Sequence, residues 1–308
     1  MPWTQGQRTR MMYSMRMPWR RIGRETPVRR TVQGVPLTMP RSHMLPYYAK
    51  LKPSYGQNLV ALASLLAKAE PGAPLQVLDI GANIGDSALQ ISAASGAHVL
   101  CVEGDRYWAE YLHKNVDGNP KMSVEEVLLL PDGAHAFESS ATAVRTNGTT
   151  RFVSGESGTD AMPSATASQL RDRNPDFAAV RLVKSDTDGF EPQLVPAVAA
   201  TWRESKPVLF FEYDPILARA VGIDPDAMWG ALAALGYSRV AVWDNAGDPL
   251  GQLDIAEVSE HTGSLEPRPV HLGYNFWDVA VCRDDDPIGR AALDELVPLP
   301  FSVTPPSA

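Results

Sequence analysis

Residues 77–105 read VLDIGANIGDSALQISAASGAHVLCVEGD, and this stretch decides the fold. Its first residues, VLDI, are a short apolar run of the kind that is buried in a parallel sheet. A glycine-containing loop follows, then a helical pattern that ends at Gly96, and then a second apolar run, HVLCVE. A strand, a loop, a helix and a second strand in this order predict a βαβ unit with parallel strands.

The same alternation of strand and helix patterns extends over most of the chain. Short β-branched and aromatic runs separated by helical patterns predict a Rossmann-like α/β fold with a seven-stranded, mostly parallel sheet and helices on both faces. No helical pattern separates the last two strands, so the last strand is expected to run antiparallel. The seven strands are expected at 75–80, 98–105, 122–130, 180–189, 207–215, 238–244 and 276–283.

The chain divides into three parts. Residues 1–45 are an arginine-rich extension that is expected to end in a β-hairpin around Gly34, residues 46–285 form the catalytic domain, and residues 286–308 form a tail. Within the domain, residues 131–166 are rich in Gly, Ser, Thr and Asp and predict an irregular segment. Its length obscures the residues that would contact an adenine ring.

The charge is unevenly distributed. Of 28 basic and 36 acidic residues, nine arginines and one acid lie in residues 1–41, which leaves 19 basic and 35 acidic residues in the rest. Because so acidic a body repels phosphate, nucleic acid is not the expected partner. The arginine-rich arm is interpreted as a partly disordered extension; the alternatives are an anion-binding segment, a targeting segment or a segment that docks on the acidic body.

Composition indicates a soluble chain, with 44% hydrophobic and 21% charged residues. It has no apolar run of about 18 residues, which argues against a membrane span, and its start lacks the apolar stretch of a secretory signal. Cys101 and Cys282 each lie in an apolar strand pattern and are expected to be buried free thiols, which suits the reducing cytoplasm. The oligomeric state is left open.

The loop after the first strand indicates which ligand it binds. Gly81 permits a tight turn with close backbone approach, and Gly85 is expected to let the helix pack on the strand. A dinucleotide fingerprint needs glycine at three places, whereas this loop reads Gly81-x-Asn83-x-x-Asp86. Asp86 would repel a pyrophosphate at the helix N-terminus. Acids at Asp79 and Asp86 instead suit a ligand that lacks phosphate and carries a sulfonium and an ammonium group.

Glu103 closes the second strand. There its carboxylate is expected to accept hydrogen bonds from both hydroxyls of a ribose, with Gly104 beside it and Ala82 in the facing loop. Nicotinamide enzymes and methyltransferases share this feature, so it predicts a nucleoside cofactor without separating the two classes.

Four segments resemble the successive signatures of FkbM-type S-adenosylmethionine methyltransferases, and the similarity runs over residues 45–281. The family resemblance implies O-methylation of a hydroxyl in a small metabolite, polyketide or saccharide. It also implies that Asp79, Gly81, Asn83 and Gly85 lie in the cofactor loop and that Glu103 binds the ribose. The four segments are VLDIGANIGDSALQIS (77–92), VLCVEGD (99–105), VRLVKSDTDGFEPQLV (180–195) and PVLFFEYDP (207–215).

The third segment departs from the family pattern. The family commonly reads Lys-x-Asp-x-Glu-Gly-x-Glu, whereas this chain has Asp188 in place of the first glutamate. Because aspartate is one methylene shorter than glutamate, its carboxylate lies closer to the backbone. The Asp188-Gly189 pair also suits a plain turn before a helix.

Catalytic candidates follow the fourth and fifth strands. Asp186 and Glu212 are expected at adjacent strand ends, where they would share an acceptor hydroxyl or a Mg²⁺ ion. Lys184 either takes part in catalysis or pairs structurally with a neighbouring acid. His271, in the late stretch 261–278, is a further candidate base, with a structural loop histidine as the alternative.

These features together predict an S-adenosylmethionine-dependent O-methyltransferase that acts on a small molecule or saccharide. Two alternatives stay open. One is a nicotinamide-dependent oxidoreductase, which the missing glycine pattern and Asp86 disfavour. The other is a non-catalytic nucleoside-binding protein of the same fold, to which Asp188 gives some weight.

Overall fold

The computed structural model describes residues 26–131, 141–146, 149–154, 163–265 and 276–302, with the backbone alone at 141–154. Its strands are β1 (Pro27–Val32), β2 (Val35–Pro40), β3 (Gln76–Ile80), β4 (His98–Val102), β5 (Met122–Glu125), β6 (Leu128–Leu130), β7 (Ala141–Thr146), β8 (Thr149–Ser154), β9 (Ser164–Thr166), β10 (Leu182–Ser185), β11 (Val208–Tyr213), β12 (Tyr237–Asp244), β13 (Pro249–Asp254) and β14 (Trp277–Arg283).

The α-helices of these ranges surround the main sheet. They are α1 (Leu45–Leu51), α2 (Gln57–Ala69), α3 (Asp86–Ser95), α4 (Arg106–Val116), α5 (Ala167–Arg173), α6 (Glu191–Thr201), α7 (Pro215–Ala220), α8 (Ala227–Ala234), α9 (Val258–His261) and α10 (Pro287–Leu296). None of them has the length and the hydropathy that crossing a bilayer requires.

Within the described residues the main sheet has eight strands, in the order β5-β4-β3-β10-β11-β14-β12-β13. The five strands from β5 to β11 are mutually parallel, whereas β14 runs antiparallel to both β11 and β12. This confirms a mixed, mostly parallel sheet with an inverted last strand in the chain. The prediction of seven strands was wrong because β13 folds back on β12 as an additional antiparallel edge strand.

There is a physical reason why β13 could not be predicted from the sequence. Its six residues, PLGQLD, include a proline and a glycine, both of which are depleted in strands. Gly251 has a φ of +127°, and a Cβ there would lie 2.3 Å from Phe301 Cα. The chain from 299 to 302 bonds to the outer edge of β13, with Gln252 N–H donating to Leu299 O at 2.8 Å. A covered edge of this kind needs glycine rather than a β-branched residue.

Helices cover both faces of the main sheet. One face packs α5, α6 and α8 through residues such as Leu170, Val198 and Leu232. The other packs α2, α3, α4 and α10, with Leu62 and Leu293 fully buried. Because both faces are buried, the strands are apolar almost throughout, and polar side chains at their ends are the exceptions.

The predicted third strand at 122–130 is two strands. β5 belongs to the main sheet, and β6 leaves it to pair in parallel with β9. The exposed Glu126 and a bend at the buried Val127 separate the two strands. Part of the segment predicted as irregular contains the antiparallel pair β7 and β8.

Residues at both ends of the chain pack on the main domain. β1 and β2 form a hairpin around Gly34, and Leu37 and Met39 of β2 are fully buried against Ile84 and Trp108. After residue 285, α10 completes the core on one face of the sheet. The residues that the sequence pattern separates as an extension and a tail therefore supply part of the buried core.

Candidate functional site

The ends of β3 and β10 are held together by one lysine. Lys184 lies beside Asp79 in the parallel register, and its Nζ is 3.0 Å from Asp79 Oδ1. The same ammonium donates to Gly81 O at 2.8 Å and to Ile80 O at 3.3 Å. The residue thus ties the strand end to the glycine loop, which we define as residues 81–86.

The side chain of Lys184 stays protonated. Burial lowers the pKa of its ammonium, but the carboxylates of Asp79 and Asp186 raise it more, and the net pKa lies above its ordinary value. A lysine that stays protonated and donates to an acid and two carbonyls cannot accept a proton. This geometry favours the structural pairing that the sequence left open.

Asp79 lies beneath the glycine loop. Its side chain is fully buried, and Oδ2 accepts a hydrogen bond from Ser87 Oγ at 2.6 Å. Oδ1 forms the ion pair with Lys184 and has no aligned hydrogen bond among the described residues. The Asp79 carboxylate therefore stabilises the glycine loop from the interior of the protein. It is not exposed at the sheet edge, where the sequence analysis expects a cofactor.

The glycine loop is wedged between two strand ends. Gly81 has a φ of +72°, and a Cβ there would lie 1.9 Å from the carbonyl oxygen of Asp186. Its N–H and that of Ala82 donate to Val102 O, at the end of β4. Gly85 has a different neighbour from the one predicted, since a Cβ there would meet Leu112 of α4 at 2.7 Å. It allows helix–helix contact rather than packing of the helix on the strand.

Glu103 links the end of β4 to the same loop. Its two carboxylate oxygens accept hydrogen bonds from Asn83 N at 2.8 Å and Asp105 N at 2.7 Å. Burial raises the pKa of Glu103 to about 7, although the two backbone N–H groups lower it. Each oxygen keeps a second lone pair, which is what acceptance from two ribose hydroxyls requires. Gly104 follows, where a Cβ would be 3.2 Å from Leu128 Cα.

The N-terminal hairpin also reaches this loop. His43, just after β2, has its Nε2 3.3 Å from Asn83 Oδ1 and its ring edge-on to Trp108. Burial lowers the pKa of His43, which keeps the ring neutral at physiological pH. Asn115 of α4 donates to both Thr38 O and Ile84 O. These contacts could not be predicted from the sequence because they join residues far apart in the chain.

Acidic side chains line the rest of the sheet edge. Asp86 is half-buried in the first turn of α3, and burial raises its pKa to about 6. Asp186 is exposed, with its carboxylate 4.0 Å from Lys184 Nζ. Glu212 is half-buried and lies directly opposite Asp278 in the antiparallel register of β11 and β14.

Asp278, Asn58 and Tyr55 are further polar residues that the sequence analysis did not single out. Asn58 Nδ2 donates to Asp278 Oδ2 at 2.9 Å. Burial raises the pKa of the Tyr55 hydroxyl, and the charges of Asp186 and Glu212 raise it further. The one available signal was Asp278 itself, a lone carboxylate in the apolar strand WDVAVCR.

Some predicted site residues are not tested by this geometry. His271 and any adenine contacts in 132–140 and 155–162 lie outside the described residues. In the part of the chain that is described, no three His, Cys, Asp or Glu side chains are grouped so as to hold a metal ion. The described residues therefore give no support for the predicted Mg²⁺ site at Asp186 and Glu212.

The buried carboxyls predict how stability depends on pH. Asp86, Glu103 and Asp278 have pKa values raised to about 6, 7 and 7. Between their ordinary and raised pKa values the folded chain binds more protons than the unfolded chain, so stability falls as pH rises towards 7. His43, with its lowered pKa, opposes this with a single group. We expect the ligand-free chain to unfold at a higher temperature near pH 5 than near pH 8 in calorimetric scans. A midpoint that increases steadily over that range would contradict these assignments.

Comparisons with known proteins give similar structures but no family. No family model matches the chain, and no curated protein matches its sequence. Among solved structures, TYW2 of M. jannaschii in complex with AdoMet has 10% identity and a TM-score of 0.43, covering 85% of this chain and 87% of its own. Precorrin-6y C5,15-methyltransferase from Geobacter metallireducens GS-15 has 12% identity and a TM-score of 0.37, covering 72% and 87%. The structures similar to this chain thus include a methyltransferase and a protein solved with AdoMet.

Proposed function

We propose that the chain is an S-adenosylmethionine-dependent methyltransferase. The observation that carries the proposal is the position of Glu103, whose buried carboxylate faces the glycine loop across the ends of β3 and β4 and accepts the Asn83 N–H. Ligands of open α/β sheets bind at this edge, and an acid here suits a ribose. Asp86 occupies the helix turn where a dinucleotide's pyrophosphate would lie, which disfavours a nicotinamide cofactor.

The sheet supports the same choice. β14 runs antiparallel between β11 and β12, which is the arrangement of the seven-stranded methyltransferase sheet, here with β13 added at the edge. In the dinucleotide-binding Rossmann sheet the strands are mostly parallel in the order 3-2-1-4-5-6.

The residues around the glycine loop fit a cationic nucleoside. In this proposal the Glu103 carboxylate binds the ribose. The backbone of Gly81, Ala82, Asn83 and Gly85 borders the cofactor. Gly104, which has no Cβ, lets the chain pass close to Leu128. Asp86 and Asp186 supply negative charge for the sulfonium and ammonium groups. When bound, S-adenosylmethionine supplies a methyl group on positively charged sulfur.

We further propose that the acceptor is a hydroxyl of a small metabolite, polyketide or saccharide. Asp186 is an exposed carboxylate beside the loop, and it can orient a hydroxyl by accepting its hydrogen bond. The acidic balance of the chain outside residues 1–41 favours an acceptor without phosphates.

Isotope transfer tests this function. The full chain is incubated with S-adenosylmethionine that carries a deuterated methyl group and with a metabolite extract, and products are identified by mass spectrometry. The proposal predicts a metabolite that gains one labelled methyl group on oxygen, together with S-adenosylhomocysteine. Label on nitrogen or carbon would overturn the hydroxyl acceptor alone, and no labelled product in any extract would count against the enzyme.

Glu103→Gln tests the ribose contact. The amide keeps the shape of the side chain, but it loses the charge, and its NH₂ group meets a backbone N–H that now lacks an acceptor. We expect S-adenosylhomocysteine to bind about 10- to 100-fold more weakly by calorimetry. Glu110→Gln, on an exposed position of α4, is the matched control and is expected to bind as the wild type does. Equal affinities for both variants would remove Glu103 from the cofactor site.

A further inference from the structure

Glu212 and Asp278 are a carboxylate pair built into the sheet. They face each other directly across β11 and β14, on the same sheet face as their neighbours Phe210 and Ala280. Directly opposed residues of an antiparallel ladder have Cβ atoms about 4.5–5.5 Å apart, within reach of one another's side chains. Two ionised carboxylates at that distance repel each other and destabilise the sheet. This cost is reduced if one of the two carboxyl groups holds a proton.

The pair lies in line with the glycine loop. Asp186 follows Ser185, which pairs with Phe211, so it comes next to Glu212 at the edge. On the other side, Asp278 pairs with Trp243 of β12. The row therefore runs from the loop through Asp186 to the pair, which places the pair on the side of Asp186 away from the proposed cofactor.

One asymmetric contact distinguishes the two acids. Asn58 is buried at the start of α2; its Oδ1 accepts the Leu59 N–H, so its Nδ2 is turned towards Asp278, to which it donates. A donated hydrogen bond favours the ionised form of the acid that receives it. Burial raises the pKa of Asp278 to about 7 and raises that of Glu212 well above its ordinary range, with Asp186 and Asp278 adding to the effect. The hydrogen bond from Asn58 makes Asp278 the more readily ionised member of the pair and leaves Glu212 as the member that holds its proton more tightly.

Other charged groups face the pair from each neighbouring element, and their balance is negative. Lys184, the nearby cation, is engaged by Asp79 and two carbonyls. The acids whose charges act on the pair are Asp186, Asp188, Glu191 and Asp244. A negative surrounding favours uptake of a proton by the pair.

The segment before α2 lies over this row. Lys52 Nζ donates to Asn245 Oδ1 at 3.3 Å, and Ser54 Oγ donates to Ala246 O at 2.7 Å, both in the turn between β12 and β13. Tyr55 follows, and the charges of Asp186, Glu212 and Asp278 act on its hydroxyl. These contacts place Tyr55 next to the pair at the edge of the sheet.

We propose that Glu212 and Asp278 share one proton at rest and together accept the proton of the methyl acceptor, with Asn58 as the positioning residue that keeps Asp278 ionised. This inference rests on the proposed function. As the acceptor oxygen forms its bond to the methyl carbon, its proton passes to the Asp278 carboxylate. The sulfur keeps the electron pair of the bond that breaks. The pair then holds two protons and returns one to solvent.

The shared proton is tested in the full chain without any acceptor. Side-chain carboxyl carbons labelled with ¹³C are followed by NMR through a pH titration. Glu212 is expected to titrate well above its ordinary range in the wild type, and about one unit or more lower in Asp278→Asn, where no second carboxylate opposes its charge. An unchanged Glu212 titration in that variant would overturn the shared proton.

The use of the pair in catalysis is tested by isotope transfer into the metabolite extract. Asp278→Asn and Glu212→Gln are each expected to slow labelled-methyl incorporation on the order of 10²-fold, with S-adenosylhomocysteine affinity within about twofold of wild type. Glu260→Gln, an exposed carboxylate on α9, is the control and keeps the wild-type rate. Asn58→Ala is expected to raise the pH at which the rate is half-maximal, whereas a purely structural asparagine would leave that pH unchanged.

Failure of this inference and of the proposed function are distinguishable. If the wild type does not bind S-adenosylhomocysteine, the proposed function is wrong whatever the pair does. If it binds and transfers label but both pair variants keep the wild-type rate, the function stands and the pair has no catalytic role.

Discussion

Gly81→Ala is expected to lower the free energy of unfolding by about 3 kcal/mol or more and to abolish detectable binding of S-adenosylhomocysteine. The new Cβ would lie 1.9 Å from Asp186 O, a backbone atom that cannot rotate away. In addition, the φ of +72° disfavours any L-residue by about 1–2 kcal/mol. The strand end of β10 and the glycine loop must therefore separate, which displaces the groups that border the proposed cofactor.

Gly118→Ala is the matched control for this variant. Gly118 has a φ of +80° in the turn after α4, but a Cβ there would meet nothing within 4 Å. It therefore carries the backbone cost of about 1–2 kcal/mol without the collision, and binding is expected to be unchanged. Chemical denaturation and calorimetry measure both effects. If the two variants lose equal stability and bind equally well, the close packing of the loop against β10 is not what holds the site.

Asp79→Asn is expected to destabilise the chain by about 3–5 kcal/mol, because it leaves the buried ammonium of Lys184 without its counter-ion. The asparagine can still accept from Ser87 Oγ, so the loss reports mainly on the ion pair. Urea denaturation measures the difference in the free energy of unfolding.

A second substitution separates the ion pair from other causes. Adding Lys184→Met removes the unpaired charge and is expected to restore at least half of the lost stability. Full restoration is not expected, since Gly81 O loses the hydrogen bond from Lys184. If Lys184→Met lowers the stability of the Asp79→Asn variant by as much as it lowers that of the wild type, the two residues act independently. The ion pair would then not be what ties β3 to the glycine loop.

The sequence allowed the βαβ unit, the mixed sheet and the helices on both faces to be predicted because these depend on local patterns. Each strand is a short apolar run, and Gly81 and Gly96 mark turns that few other residues can make. The eighth strand escaped prediction because its edge is covered by residues 299–302, about fifty positions away, which permits proline and glycine in it.

The residues of the candidate site are also of two kinds: those that local sequence features predicted and those that only the fold brings together. Glu103 was predicted because its position after a strand and its spacing from the loop are local features. Asp278, Asn58 and Tyr55 were not, since they come together only when α2, the segment before it and the last strand β14 pack together. Lys184 could be recognised as a candidate but not assigned, because its role depends on whether its nitrogen meets a buried acid or a substrate.

The most direct measurement is a calorimetric titration of the full chain, at neutral pH, with S-adenosylhomocysteine and separately with NAD. The account predicts binding of S-adenosylhomocysteine in the micromolar range and no heat of binding for NAD. Absence of S-adenosylhomocysteine binding would contradict the central claim, and binding of NAD in its place would assign the glycine loop and Glu103 to a nicotinamide enzyme.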